Sequence, residues 1–180
     1  MEDLITIIKQ RRSIRNYSDK EIPAEVLQTM LEAVQWTPSW ANTQCWEIVA
    51  IKDPKIKEQI QAAVPKSNPA FKSILNAPVV LALCAKLGTS GYYKGVVTTK
   101  FGDWFMFDLG LATQSICLTA QSMGLGTVVV GLYEQDKVNA ALNLPEGMDN
   151  VVLIPVGYPT KEPKTPKRRD VDDFVHYDTF

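Results

Sequence analysis

The sequence predicts a single α+β domain, with helices packed on a mostly antiparallel or mixed sheet around one long central helix. Three observations predict it. Segments with apolar residues at steps of three or four alternate with short apolar runs of strand length. The stretch Phe105–Met123 is apolar on most of its faces, as expected of a helix enclosed in the core or at a subunit contact. The 180 residues, 46% hydrophobic and 22% charged, suffice for one hydrophobic core but not for two.

Taken in order, Met1–Arg12 carries Leu4, Ile5 and Ile8 on one side and ends in a basic turn that suits the negative end of a helix dipole. Pro23 suits the first position of a second helix, striped by Val26, Leu27, Met30, Leu31 and Val34. Trp36–Gln44 is a loop and Glu47–Ile51 a short strand. Asp53-Pro54 opens a helix to about Val64, and Ala77–Ala85 is apolar enough for a central strand. Gly88–Gly102 has no clear period and reads as a loop or lid. Phe105, Leu109, Ala112, Ile116, Ala120 and Met123 define the long helix, stopped by Gly124. Thr127–Val130 and Val151–Val156 are further buried strands separated by a short helix near Gln135–Leu142. After Gly157 the chain is polar and Pro-rich, and it ends in a short mixed segment.

Composition excludes several classes. The 19 Lys and Arg against 20 Asp and Glu leave a net charge of −1, without the basic excess usual in a nucleic-acid binder. The densest apolar stretch, Ala77–Ala85, is about half the ~20 residues a bilayer span needs, and the N-terminus lacks a signal-peptide pattern, so a cytoplasmic protein is expected. Cys45, Cys84 and Cys117 are dispersed, and His176 is the only histidine, so neither a zinc site nor a His-based triad is expected. Gly124, Gly126 and Gly131 do not form a dinucleotide loop: GxGxxG would need glycine at Val129, and the run follows a helix where a Rossmann turn follows a strand.

Positive charge is concentrated at the two ends. Lys9, Arg11, Arg12 and Arg15 lie within seven residues, and Lys164, Lys167, Arg168 and Arg169 within six. Solvated helix ends are one reading. The other is a phosphate held by guanidinium forks together with the small polar groups Ser13 and Asn16. The loop Thr37–Trp46 places Ser39, Asn42 and Gln44 among Trp36, Trp40 and Trp46. It suits either a planar heteroaromatic ring with polar edges or an ordinary Pro-initiated turn beside core tryptophans.

Together these segments resemble the FMN-dependent nitroreductase family over nearly the whole chain. RRSIRNY, Arg11–Tyr17, is similar to that family's RRSxRxF; PSWANTQCW is similar to PSxxNxQPW, with Cys45 where proline is usual. GLGT, VVVGLY, IPVGYP and the closing KRRDVDDFVHYD follow in the family's order. The resemblance implies an α+β sandwich in an intertwined homodimer, with two FMN sites at the subunit interface. Residues 1–170 would form the FMN-binding domain and 171–180 an arm on the partner subunit.

Residue by residue, the resemblance implies that Arg11, Arg12 and Ser13 hold the FMN phosphate and ribityl chain, with Lys167 and Arg169 closing on the phosphate from the C-terminal end. Arg15 would reach the pyrimidine edge and stabilise negative charge near N1 and O2 of the reduced ring. Pro38, Ser39, Asn42 and Gln44 would contact the flavin, several of them across the interface. Gly131 would present its backbone N–H to N5, its missing Cβ permitting close approach. Val130 precedes it where some relatives carry Glu, so a substrate contact by that carboxylate is absent. Whether Asn68 touches the ring is left open.

The chemistry implied is the flavin's own: hydride from NADH or NADPH to FMN N5, then to a nitroaromatic, quinone or similar flat acceptor, in ping-pong order, with no catalytic side chain and no metal. The Gly88–Gly102 segment is short for the family, which implies an open pocket with Tyr92, Tyr93 or Phe101 near its mouth. Competing readings are a specialised flavin chemistry on the same fold, such as dehalogenation, azoline oxidation or flavin destruction, and a flavin-binding redox module without turnover.

Overall fold

Asp3 caps the first helix: its carboxylate accepts from the Thr6 backbone N–H at 3.1 Å and from the Thr6 hydroxyl at 2.6 Å. The computed structural model describes residues 3–180, so the first two residues of the expected Met1–Arg12 helix lie outside it. Helix α1 spans Leu4–Gln10 and α2 Ala24–Gln35. Pro23 stands at the cap of α2, one position before the first helical residue expected for it. Strand β1 is Trp46–Ile51. Helix α3, Pro54–Ala63, is capped by Asp53, which accepts from Lys55 N–H at 2.7 Å. A one-turn helix α4, Ser73–Asn76, precedes β2, Val79–Lys86.

The Gly88–Gly102 segment is more ordered than a loop, since Tyr92–Tyr93 (β3) and Val96–Val97 (β4) pair as a small hairpin. Helix α5 is Phe105–Ser122. It ends as expected at Gly124, whose φ of 73° lets Leu125 N–H reach back to the Ala120 carbonyl at 2.8 Å. Then come β5, Gly126–Thr127, α6, Gln135–Ala141, and β6, Met148–Gly157. The expected Thr127–Val130 strand is thus shorter, and Val130 joins the sheet through a lone bridge to Leu153.

The main sheet runs β1-β2-β6-β5, antiparallel at every pairing. Strand β2 is central, and its side chains alternate between two cores. Val79, Leu81, Leu83 and Ala85 face the layer of α2 and α5 with Met30, Leu109, Ala112 and Ile116. Val80 and Ala82 face the layer of α3, α4 and α6 with Ile60, Ile74 and Val138. This is the expected sandwich of helices on both faces of a sheet.

Among the described residues, apolar side chains on α1 and α5 are left uncovered. On α1, Leu4, Ile5 and Ile8 are exposed, contrary to the usual fate of an amphipathic stripe. On α5, one side enters the core while Met106 and Phe107 are exposed. No helix among the described residues is long and apolar enough to cross a membrane.

Candidate functional site

The arginine-rich segment is held against the edge of the sheet. Ile14 N–H donates to the Thr127 carbonyl at 2.8 Å, and Ser13 bridges Thr127 in parallel. Buried Ile14 lies over Gly126, where a Cβ would come within 2.5 Å of the Ile14 side chain. The Tyr17 hydroxyl ties the segment down with its one proton shared between the carbonyls of Ile14 at 2.6 Å and Pro155 at 3.0 Å. Burial pushes that phenol well above its ordinary pKa, so it remains a donor. With Ile14 and Tyr17 anchored inward, Arg15 is left exposed.

The two ends of the chain meet here. A cavity of about 280 Å3 is lined by Arg11, Arg12, Ser13 and Arg15 from one end and Pro163, Lys164, Pro166 and Arg168 from the other. Its charged lining consists of five cations and no carboxylate. Among the described residues the salt bridges are Glu47–Lys86 and Glu134–Lys137, so none of the cavity's cations is in an ion pair. Unneutralised guanidinium and ammonium groups converging on a hydroxyl form a donor set suited to a phosphate.

The expected C-terminal residues are placed differently. Lys164, Pro166 and Arg168 line the cavity, whereas Lys167 and Arg169 do not. The Pro-rich segment turns alternate residues to one side, as an extended chain does. Arg169 is also engaged elsewhere: its guanidinium donates to the Asp173 carbonyl and lies over the Phe174 ring, 5.6 Å from the centroid.

The Trp-rich loop is a tight turn containing a single 3-10 segment, Trp40–Asn42. Ala41, Asn42 and Gln44 all take left-handed backbone conformations, with φ of 45°, 56° and 48°. Left-handed geometry disfavours L-residues by roughly 1–2 kcal/mol each, so the turn has to be held from outside. Ser39 Oγ accepts from Gln44 N–H at 2.9 Å, and Asn42 Oδ1 accepts from Gln44 Nε2 at 3.3 Å. Pro38, Asn42 and Gln44 are exposed and Trp36 is 83% exposed, whereas Trp40 is half-buried and Trp46 packs against the core.

The anchor is Asp108, which sequence reading missed. It is fully buried on α5, and its carboxylate accepts from Trp40 N–H at 2.9 Å, the Ser90 hydroxyl at 2.6 Å and the Cys45 thiol at 3.5 Å. Burial, and then the Asp108 carboxylate, push the Cys45 thiol up to about 12, so it stays protonated and can donate. The available signal was Asp108 itself, the only charged residue in Phe105–Ser122.

Val130 is buried and exchanges backbone hydrogen bonds with Leu153 at 2.9 and 3.0 Å, which delivers the next residue, Gly131, to the surface. A Cβ on Gly131 would meet nothing within 4 Å. Nothing in the chain's own packing requires glycine there. Asn68 braces this segment from behind, donating to the Leu132 carbonyl at 3.1 Å while its Oδ1 accepts from Ala70 N–H at 2.9 Å. The cationic cavity includes none of Pro38, Ser39, Asn42, Gln44, Val130 or Gly131. Within one chain, the structure therefore joins the two charged ends and leaves the turn and the glycine outside their cavity.

The sequence profile of the nitroreductase family matches residues 8–158. The chain belongs to the nitroreductase family. A Methanothermobacter thermautotrophicus protein assigned as an NADH dehydrogenase/NAD(P)H nitroreductase is 31% identical over 175 residues, covering 95% of this chain and 83% of that protein. An iodotyrosine deiodinase from Thermotoga neapolitana is 26% identical over the full length of both chains. Among solved structures, an FMN-dependent nitroreductase from Clostridium difficile superposes with a TM-score of 0.81 at 25% identity, covering 98% of this chain and 99% of that one.

Proposed function

We propose that this member of the nitroreductase family, an NAD(P)H-dependent oxidoreductase using FMN, reduces nitroaromatic, quinone or similar flat acceptors in two half-reactions at one site, as a homodimer. The observation that carries the reading is the cavity of five cations without a carboxylate, built from both ends of the chain. Its donor set fits the FMN phosphate, the neutral turn at Ser39–Gln44, with Asn42 and Gln44 exposed, fits a polar-edged ring, and the open space over Gly131 fits a ring lying close to backbone.

Bound FMN would supply the hydride chemistry that links NAD(P)H to the acceptor. The protein's part is binding and electrostatics. Arg11, Arg12 and Ser13 hold the phosphate from the N-terminal side, and Lys164 and Arg168 close on it, with Lys167 and Arg169 in the same run. Arg15 sets positive charge at the pyrimidine edge. Pro38, Ser39, Asn42 and Gln44 orient the ring, and Gly131 offers its N–H.

Three sets of exposed apolar side chains support the homodimer: Leu4, Ile5 and Ile8; Met106 and Phe107; and Val171, Phe174, Tyr177 and Phe180. The last set lies in 171–180, which packs as an arm on the partner. A second copy would also bring the turn to a cationic cavity that it does not reach within one chain.

The test is the absorbance spectrum of the purified protein, FMN titration, and bleaching by NADH and NADPH before re-oxidation by a panel of acceptors. Flavin binding with turnover of several flat acceptors is expected. A protein that binds no FMN defeats the reading. The full-length match to a deiodinase favours including an iodinated phenol in the panel: exclusive turnover of that compound would identify reductive dehalogenation as the reaction.

A further inference from the structure

Three parts of the chain that are distant in sequence end on one buried carboxylate. Trp40 N–H belongs to the strained turn, Cys45 Sγ to the residue before β1, and Ser90 Oγ to the base of the 88–104 excursion; all three donate to Asp108. Ser90 is itself fully buried, and its carbonyl accepts from Trp104 N–H at 3.0 Å. The neck of the excursion is closed at the same place, because Gly91, with φ of 87°, packs against the Gly102 carbonyl and the Trp104 ring, leaving no room for a Cβ. Beyond this neck, Tyr93, Val96, Val97 and Phe101 are exposed.

We infer that Asp108 is a positioning residue for the reaction: through a single carboxylate it holds the Ser39–Gln44 turn in its left-handed geometry and couples that turn to the neck of the 88–104 excursion. The inference rests on the reading of Ser39–Gln44 as a flavin-contacting turn. The turn's only internal side-chain bonds run from Gln44 to Ser39 and Asn42, at its exposed edge. Its one bond into the protein interior among the described side-chain contacts of Ser39–Gln44 is Trp40 N–H to Asp108. A buried carboxylate has to be satisfied by donors, and here one donor is the turn's own Trp40 N–H and another comes from the base of the 88–104 excursion, so satisfying the charge and fixing the turn are one event. The carboxylate acts on the flavin through the backbone of the turn and touches no substrate.

The test compares wild type with Asp108→Ala, Asp108→Asn and Ser90→Ala by amide-resolved hydrogen exchange, with and without FMN, and by FMN fluorescence titration and visible circular dichroism of the bound flavin. In Asp108→Ala, the Trp40 and Gln44 amides should exchange on the order of tenfold faster relative to β2 amides, with a similar rise in the FMN dissociation constant and an altered flavin dichroism, the scale of losing a hydrogen bond to a charged acceptor. Asp108→Asn keeps an oxygen facing Trp40 N–H and should restore most of that protection. Ser90→Ala should speed exchange at Trp40 and through Phe101–Trp104. Exchange at Trp40 rising only in step with β2 in Asp108→Ala, or unchanged at both places in Ser90→Ala, overturns the inference; the second variant decides it if the first does not fold. If the wild type binds no FMN, the cofactor reading falls, whereas an exchange response at Trp40 would still show the turn anchored by Asp108.

Discussion

The Arg12 guanidinium donates to the Thr165 hydroxyl at 2.6 Å, joining segments 153 residues apart. The same guanidinium donates to the carbonyls of Lys9 at 2.5 Å and Arg11 at 2.9 Å, so Arg12 works as a clasp as well as a charge. Thr165→Val keeps the shape and removes the acceptor. Because the contact is exposed, about 1 kcal/mol or less is at stake. FMN titrations at fixed ionic strength should show severalfold weaker binding with an unaltered melting temperature. Unchanged affinity would mean that the clasp serves only local folding.

Arg15 is exposed, with one long contact at 3.4 Å to the Ser13 carbonyl, so its charge is free to act on a bound ring. Arg15→Ala should retain FMN and lower its reduction potential. For a two-electron couple, each tenfold shift in relative affinity for the two redox forms corresponds to about 30 mV. Dye-equilibrated spectroelectrochemistry of the loaded variant measures it, and a potential equal to wild type removes Arg15 from the flavin edge.

Gly131 and Gly126 separate ligand space from packing. Gly131→Ala adds a methyl where nothing lies within 4 Å, so the FMN-free chain should melt within about 0.5 kcal/mol of wild type while FMN affinity falls. Gly126→Ala drives a methyl into Ile14 and should destabilise the chain by about 1–3 kcal/mol with or without FMN. Paired melting curves and titrations distinguish the two. Equal FMN affinity in Gly131→Ala would show that no ring approaches that backbone.

Alkaline pH should unfold the protein through its buried acids. Burial, then Asp108, raises Cys45 from 9.0 to about 12, and burial also raises Cys84 and Cys117. In each case the folded chain keeps a proton that the unfolded chain releases above about pH 9. The stability tied to these thiols is therefore complete below pH 9 and declines as pH rises above it, for Cys45 until about pH 12. Melting temperatures from pH 6 to 11 check this. The alkaline decline should be shallower in Cys45→Ala than in wild type, and an identical slope would show that Cys45 does not contribute.

Much of the fold is written in local pattern. The stripe on α2, the Asp53-Pro54 start of α3, the α5 run that is apolar on most of its faces and its stop at Gly124 are short-range features, and the structure has each within a residue or two. The hairpin at Tyr92–Val97 was not legible, because Gly88–Gly102 has no period and two-residue strands carry almost no pattern. For α1, the pattern predicted one apolar side, and within the chain Leu4, Ile5 and Ile8 on that side are exposed: periodicity reports that a face is apolar and not what covers it.

The same division runs through the site. The chain's own residues determined the two cationic ends, the Ser39–Gln44 turn and the motif order of its family, since these depend on residue types at close spacing. Tertiary structure alone decided that the ends converge on one cavity, that Lys164 and Arg168 line it while Lys167 and Arg169 do not, and that Asp108 anchors the turn. Those outcomes depend on which side of an extended segment packs inward and on contacts between residues more than sixty positions apart, as with Trp40 and Asp108. Local periodicity carries neither kind of information, because each depends on where the sheet and α5 place the segments in space.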